Sequence, residues 1–91
     1  MTKIEIVREI ASKTGLGTKE VMVIVESLME TIKSSMENGD EVFLRGFGSF
    51  IIKRRAEKTA RNISKNTTVI IPAHDIPAFK PAKEFIDKVR G

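Results

Sequence analysis

The chain has 91 residues, 41% of them hydrophobic, and carries a formal net charge of +4. This length predicts one small domain, and the apolar fraction is sufficient for a folded core and argues against wholesale disorder. The sequence contains no cysteine, which excludes disulfide scaffolds and cysteine-based zinc fingers.

The first forty residues predict a helical hairpin. Thr2 and Glu5 fit a capping box, in which a hydroxyl and a carboxylate satisfy two otherwise unpaired backbone donors. Apolar residues then recur at helical spacing until residues 15–17 end the first helix, and Thr18 is the expected N-cap of the second. The second helix has a wide apolar stripe and is predicted to stop at residues 38–39.

The hydrophobic period then changes to that of strands. Residues 41–45 predict a short strand, residues 46–48 a turn, and residues 49–55 the beginning of a second strand. Near the C-terminus, Pro81 suits the first turn of a last helix.

A long hairpin is predicted in the middle of the chain. Its outgoing strand is polar, a turn is expected near residues 62–66, and residues 67–71 form a β-prone return strand. Between residues 53 and 68, Ile63 is the one large apolar side chain. Because its distal half has almost nothing to bury, we expect this hairpin to project from the body as a charged arm.

The charge is concentrated in the second half of the chain. Residues 1–40 hold seven acidic and five basic side chains, whereas residues 41–91 hold five acidic and eleven basic ones. A solvated basic face is one interpretation, but the local density between residues 53 and 65 favours a polyanion-binding surface. The basic residues of that segment are Lys53, Arg54, Arg55, Lys58, Arg61 and Lys65.

The amount of apolar surface predicts a two-fold dimer. Without its arm, the body is near the lower size limit for a self-sufficient core, and one chain cannot cover the second helix and the phenylalanine rings. In the predicted dimer the helices of both chains pack together, the sheets form a saddle, and both arms leave the same face. A compact monomer with some exposed Met and Phe is the alternative. The residues predicted for the dimer core are Val25, Leu28, Met29, Ile32, Phe43, Phe47, Phe50 and Phe79.

Three blocks of sequence resemble the signature of the bacterial histone-like HU and integration host factor family. They are GFGSF at 46–50, RRAEKTARN at 54–62 and IPAFK at 76–80. The resemblance covers the whole chain and implies an α+β fold, in the form of an intertwined dimer. Each chain would have a helical-hairpin body, a three-stranded antiparallel sheet extended into a long β-ribbon arm, and a short C-terminal helix. The expected single domain, 1–91, divides into a body (1–52 and 75–91) and an arm (about 53–74).

The resemblance also implies a function, which is to bind double-stranded DNA through the minor groove and bend it, as an architectural protein of the nucleoid. The family usually has Pro at the arm tip, where it wedges between base pairs. Ile63 stands at this position, and Ile also serves as an apolar wedge in other minor-groove proteins. A plain strand residue without a DNA role is the alternative for Ile63.

Further DNA contacts are expected at the arm tip and on the body. Arg61 and Asn62 would enter the minor groove. Small residues in the turn would let backbone N–H groups approach a phosphate closely, and lysines near helix starts would contact the flanks of bent DNA. These body residues are Gly46, Gly48, Ser49, Lys80, Lys83 and Lys3.

Other functions receive little support from the sequence. A single-stranded nucleic-acid binder would need stacking aromatics, and there are none between Phe50 and Phe79. A scaffold module that docks an acidic protein is a further alternative. His74 beside Asp75 is the one His–carboxylate pair, which is insufficient for a zinc site, and so small a body predicts no enzyme, cofactor or small-molecule substrate.

Three expectations concern the biological setting. No apolar run is long enough for a membrane span and no secretory signal is found, so the expected location is cytoplasmic and nucleoid-associated. The partner chain is either identical or a paralogue. Few base-reading residues are evident beyond the arm tip, which favours the sequence-tolerant HU manner of binding over the site-selective manner of integration host factor.

Overall fold

The computed structural model describes residues 1–62 and 67–91, and within these ranges the chain forms three helices and five strands. In chain order they are α1 (Lys3–Thr14), α2 (Thr18–Glu37), β1 (Val42–Leu44), β2 (Gly48–Arg55), β3 (Lys58–Asn62), β4 (Thr67–Ile71), β5 (His74–Pro81) and α3 (Lys83–Arg90). The α+β class predicted from the sequence is confirmed. No helix in the described part of the chain is long and apolar enough to cross a membrane.

The helical hairpin forms as predicted, with one boundary shifted. The Thr2 hydroxyl accepts a hydrogen bond from the backbone N–H of Glu5 (3.4 Å), which caps α1, but the reciprocal bond of the predicted capping box, from the Thr2 N–H to the Glu5 carboxylate, is absent from the described residues. Gly15 ends α1 in the left-handed conformation, with φ of 77°. The N-cap of α2 is Gly17 and not Thr18, because Gly17 has the extended backbone of a cap while Thr18 already belongs to the helix.

The body sheet has the strand order β1-β2-β5, with antiparallel pairing throughout. Pro81 does not begin the last helix as predicted, because it ends β5 opposite Gly48 and Ala82 is the N-cap of α3. A proline is tolerated there since β5 is an edge strand of this sheet. The backbone N–H of Ala82 then donates to the Phe47 carbonyl (2.9 Å), which anchors the start of α3 to the turn before β2.

The predicted arm is present as a two-stranded ribbon of β3 and β4 that prolongs the β2–β5 pair. The β2–β5 register runs out to Arg55 opposite His74, and the β3–β4 register begins three residues later with Lys58 opposite Ile71. The chain measures 58 × 30 × 29 Å, with a radius of gyration of 18.7 Å, against about 12 Å for a compact domain of this length. The turn predicted near 62–66 lies outside the described residues, except that Asn62 ends β3.

The core of one chain is small. Among the described residues, Val7 (0% exposed) and Val21 (2%) are the buried hydrophobic side chains. They lie on the facing helices α1 and α2. A second cluster joins the turn, the sheet and α3, because the Phe79 ring lies 5.1 Å from the Phe47 ring and 6.2 Å from the Phe85 ring.

Most residues predicted for a dimer core remain accessible in the single chain. Val25, Ile32 and Phe50 are half-buried, while Leu28, Met29, Phe47 and Phe79 are more exposed, with Leu28 at 50%. Phe43 does not join the other residues predicted for the dimer core. Successive strand residues point to opposite faces, and in β1 the two neighbours of Phe43 turn inward while Phe43 is 71% exposed.

Candidate nucleic-acid interface

The predicted cationic residues of the arm lie on two successive strands. Lys53, Arg54 and Arg55 end β2, and Lys58 and Arg61 belong to β3. All five side chains are exposed. Because β3 continues the line of β2, these charges are spread along one edge of the ribbon and do not form a compact cluster. A line of charges suits an extended anionic partner.

One of these cations is engaged with a carboxylate across the ribbon. Arg54 Nη1 lies 3.2 Å from Asp75 Oδ1 on the opposite strand β5. Both side chains are more than half exposed, so the pair contributes only about 0–1 kcal/mol to stability. Among the described carboxylates, none pairs with Lys53, Arg55 or Lys58. These three cations therefore lose no protein partner when they bind an anion.

The predicted tip residues are described only in part. Asn62 is placed by its backbone at the end of β3, opposite Thr67. Ile63 and Lys65 lie outside the described residues, so the wedge and the tip cation stay predictions from the sequence.

On the body, the turn between β1 and β2 adjoins the start of α3. Gly46 has φ of 82°, a left-handed conformation that favours glycine. A Cβ on Gly48 would stand 2.5 Å from Phe79 Cζ and 2.7 Å from the Lys80 carbonyl oxygen, so no side chain fits there. The turn is thus brought close to β5 by a residue that must lack a side chain.

A shallow groove beside this turn brings together five of the six predicted body contacts. Gly48, Ser49, Lys80 and Lys83 all line it. Gly46 lines it as well, so the backbone of the turn and two lysines face the same space. An anion in this groove would meet both amide donors and ammonium groups.

Sequence reasoning missed Arg45, which lines the same groove. The sequence pattern predicts it as the end of a strand, whereas it lies in the turn after β1. Its position directly before Gly46 is the sequence feature that could have indicated a place in this groove.

Lys3 is not part of this groove. It begins α1 and its Nζ lies 2.9 Å from Glu26 Oε1, so it has an acidic partner already.

The outer face of the sheet is identified by strand register. Phe43 is opposite Ser49, and Ser49 is opposite Lys80, so these residues form one row across the sheet. Phe50, one residue further along β2, points the other way and, with Met29 of α2, lines an apolar groove. The outer face therefore carries Ser49 and Lys80 beside the exposed Phe43, whereas Phe50 and Met29 belong to an apolar groove on the inner face.

The comparisons with known proteins agree with this architecture. The family described as bacterial DNA-binding proteins matches residues 1–90. The chain belongs to this family. Integration host factor subunit beta of Marinobacter nauticus is 43% identical over 90 residues, covering 98% of this chain and 92% of that protein. DNA-binding protein HU 1 of Bacillus subtilis is 36% identical over 91 residues, covering 100% and 99%.

A solved structure within the bacterial DNA-binding protein family is similar over nearly the whole chain. The Anabaena HU–DNA cocrystal structure superposes with a TM-score of 0.93 at 37% sequence identity, covering 98% of this chain and 97% of that one. The resemblance stated from the sequence is thus confirmed. Relatives named HU and relatives named integration host factor both occur among the similar proteins, so the choice between the two manners of binding is left open.

Proposed function

We propose that this protein binds double-stranded DNA as a dimer, places its two arms in the minor groove and bends the duplex. The observation that carries the proposal is the ribbon of β3 and β4, which extends the body sheet outward and bears the exposed cations Lys58 and Arg61 on β3, after the three exposed cations that end β2. Membership in the family and the likeness to an HU–DNA cocrystal structure support it.

The dimer is supported by what a single chain leaves uncovered. Helix α2 exposes 68% of Val23, 58% of Ile24 and 50% of Leu28, more apolar surface than an isolated small domain normally presents. A second copy related by a two-fold axis would cover this surface and set the two arms on one side of the body. Two arms on one side can grip the same duplex from two directions.

Affinity in this proposal comes mainly from phosphate contacts. Each phosphate neutralised by a lysine or arginine releases counterions, so the logarithm of affinity falls with the logarithm of salt by about 0.9 per contact. Arg61 and Asn62 would reach the acceptors of the minor groove, and Ile63 would unstack one base step per arm at a cost of about a few kcal/mol. The extra DNA surface that the bend brings onto the body offsets this cost.

We favour sequence-tolerant, HU-like binding that compacts the nucleoid and assists assembly of replication, recombination and transcription complexes. The charged side chains of the described arm are mostly lysines and arginines, which suit phosphate contacts, and such contacts position a protein without reading bases. Site-selective binding, in the manner of an integration host factor subunit, is the second candidate. The integration host factor name of one similar protein supports it.

The test is a competition assay with duplex DNA, single-stranded DNA and polyglutamate at matched salt, together with energy-transfer measurement of the bend. We expect preference for duplex, growing for nicked or pre-bent duplex because the bending cost is already met. Arg61→Ala should shallow the salt slope by about 0.9 per chain. Lys88→Ala, in the last turn of α3, is the matched control and should change the slope less.

Three results would contradict the proposal. Equal affinity for duplex and polyglutamate would favour the scaffold alternative, and preference for single strands would favour the single-strand alternative. A straight duplex in the bound complex would show that the protein does not bend DNA. To separate the two binding manners, the same assay is run on random and selected duplexes, since only site-selective binding discriminates strongly between them.

A further inference from the structure

The one histidine of the chain lies at the base of the arm, among its cations. His74 is the first residue of β5 and pairs in register with Arg55, the last residue of β2. Both side chains are exposed. Directly opposite residues of an antiparallel pair share a face of the sheet, so the imidazole and the Arg55 guanidinium belong to the same face of the ribbon.

A hydrogen bond orients the ring and defines the role of each nitrogen. His74 Nδ1 lies 2.9 Å from the carbonyl oxygen of Pro72. A carbonyl oxygen only accepts, so Nδ1 must carry a hydrogen and donate it. In the neutral ring Nε2 is therefore an acceptor, and protonation converts Nε2 into a charged donor. Protonation thus adds a donor at Nε2 without disturbing the bond at Nδ1.

The charges around this ring favour an anion over a protein partner. On β2, Arg55 is directly opposite and Lys53 belongs to the same face by strand alternation. On its own strand the neighbouring Asp75 is paired with Arg54 at 3.2 Å, and Glu57 follows β2 in the connection to β3. Among the described carboxylates, none forms an ion pair with His74.

We infer that His74 is a proton-dependent phosphate contact at the base of the arm, a role that rests on the proposed DNA binding. A DNA phosphate held by Arg55 and Lys53 places negative charge beside the ring. Nε2 takes up a proton from solvent and donates it in a charge-assisted hydrogen bond to a phosphate oxygen. The negative charge of the bound phosphate favours the charged ring, so proton uptake is coupled to binding.

The sign of the pH dependence follows from this coupling. The complex binds more protons than the free protein does, so affinity for duplex rises as pH falls through the range in which imidazole titrates, about pH 8 to 5. The gain per chain should be about tenfold, the lower end of the value of a net hydrogen bond to a charged group. Because a new phosphate is neutralised, the salt slope should steepen by about 0.9 per chain at the acidic end.

The experiment measures duplex affinity against salt for the full chain and for His74→Gln, at several values between about pH 8 and 5.5. Glutamine keeps a hydrogen-bonding amide but does not titrate. We expect the natural chain, but not His74→Gln, to gain duplex affinity and a steeper salt dependence of that affinity as the pH falls. His74→Lys, charged at every pH, should bind at the alkaline end as the natural chain binds at the acidic end.

The outcomes separate this inference from the proposed function. If the natural chain and His74→Gln bind duplex with the same pH dependence, or both without any, the role of His74 is overturned while DNA binding stands. If neither protein binds duplex at any pH, the proposed function itself is overturned. Because His74 is exposed, both variants should keep the circular dichroism spectrum of the natural chain, and this is checked first.

Discussion

Gly48 offers a direct test of how the turn, the sheet and the phenylalanine cluster are packed. An alanine Cβ there would lie 2.5 Å from Phe79 Cζ and 2.7 Å from the Lys80 carbonyl oxygen, whereas carbon atoms pack at about 3.5–4.0 Å. The Phe79 ring is itself held at 5.1 Å from both the Phe47 and the Phe50 rings. Relief would need movement of about 1 Å within the packed aromatic cluster or in the backbone of β5.

The expected cost of Gly48→Ala is at the upper end of overpacking, about 3 kcal/mol per chain. One of the two obstructing atoms belongs to the backbone, so a rotamer change alone does not relieve it. For a cooperative unit of the size of a dimer, the cost is incurred in both chains, and the two losses together lower the melting temperature by roughly 12–24 °C. The measurement is thermal denaturation followed by circular dichroism at matched protein concentration, because dimer stability depends on concentration.

Gly39→Ala is the matched control for this experiment. Gly39 has φ of 86° and nothing within 4 Å of the position of a Cβ, so alanine there costs only the left-handed backbone, about 1–2 kcal/mol. The loss at Gly48 should exceed the loss at Gly39. An equal or smaller loss for Gly48→Ala would refute the close packing of the turn against β5.

Three further predictions concern the dimer, the arm base and the tip. Leu28→Asp puts a charge on the apolar face of α2 and should give a monomer by analytical ultracentrifugation, while Ser12→Asp on α1 should leave a dimer. Asp75→Asn releases Arg54 from its ion pair, so duplex affinity should rise while stability changes by less than about 1 kcal/mol. Ile63→Ala should reduce the bend measured by energy transfer more than it reduces affinity, because the wedge is lost and the phosphate contacts remain.

Each of these predictions has a result that contradicts it. A dimer of unchanged strength for Leu28→Asp would place the interface elsewhere. Weaker duplex binding by Asp75→Asn would show that the ion pair orders the arm for binding instead of competing with DNA. An unchanged bend angle for Ile63→Ala would leave Ile63 as an ordinary residue of the arm.

Local signals were sufficient to predict most of the elements. The Thr2 cap and the glycine at position 15 predict the limits of α1, and both act as predicted. Such signals work because a cap satisfies backbone groups within a few residues of itself. Where two neighbouring residues compete, as Gly17 and Thr18 do, the pattern leaves the boundary uncertain by one position. Pro81 was misplaced for a related reason, since a proline suits both a helix start and an edge strand.

The chemistry that each segment carries can be read from the amino-acid sequence: a basic, nearly core-free arm, an apolar second helix and a glycine turn. Which of these groups meet depends on the fold. Strand register puts Phe43 in a row with Ser49 and Lys80, pairs Arg54 with Asp75 and sets His74 opposite Arg55. A shift of one residue in that register would send every side chain to the other face. Composition and spacing along the chain do not specify the register, because it depends on how residues distant in sequence pack together.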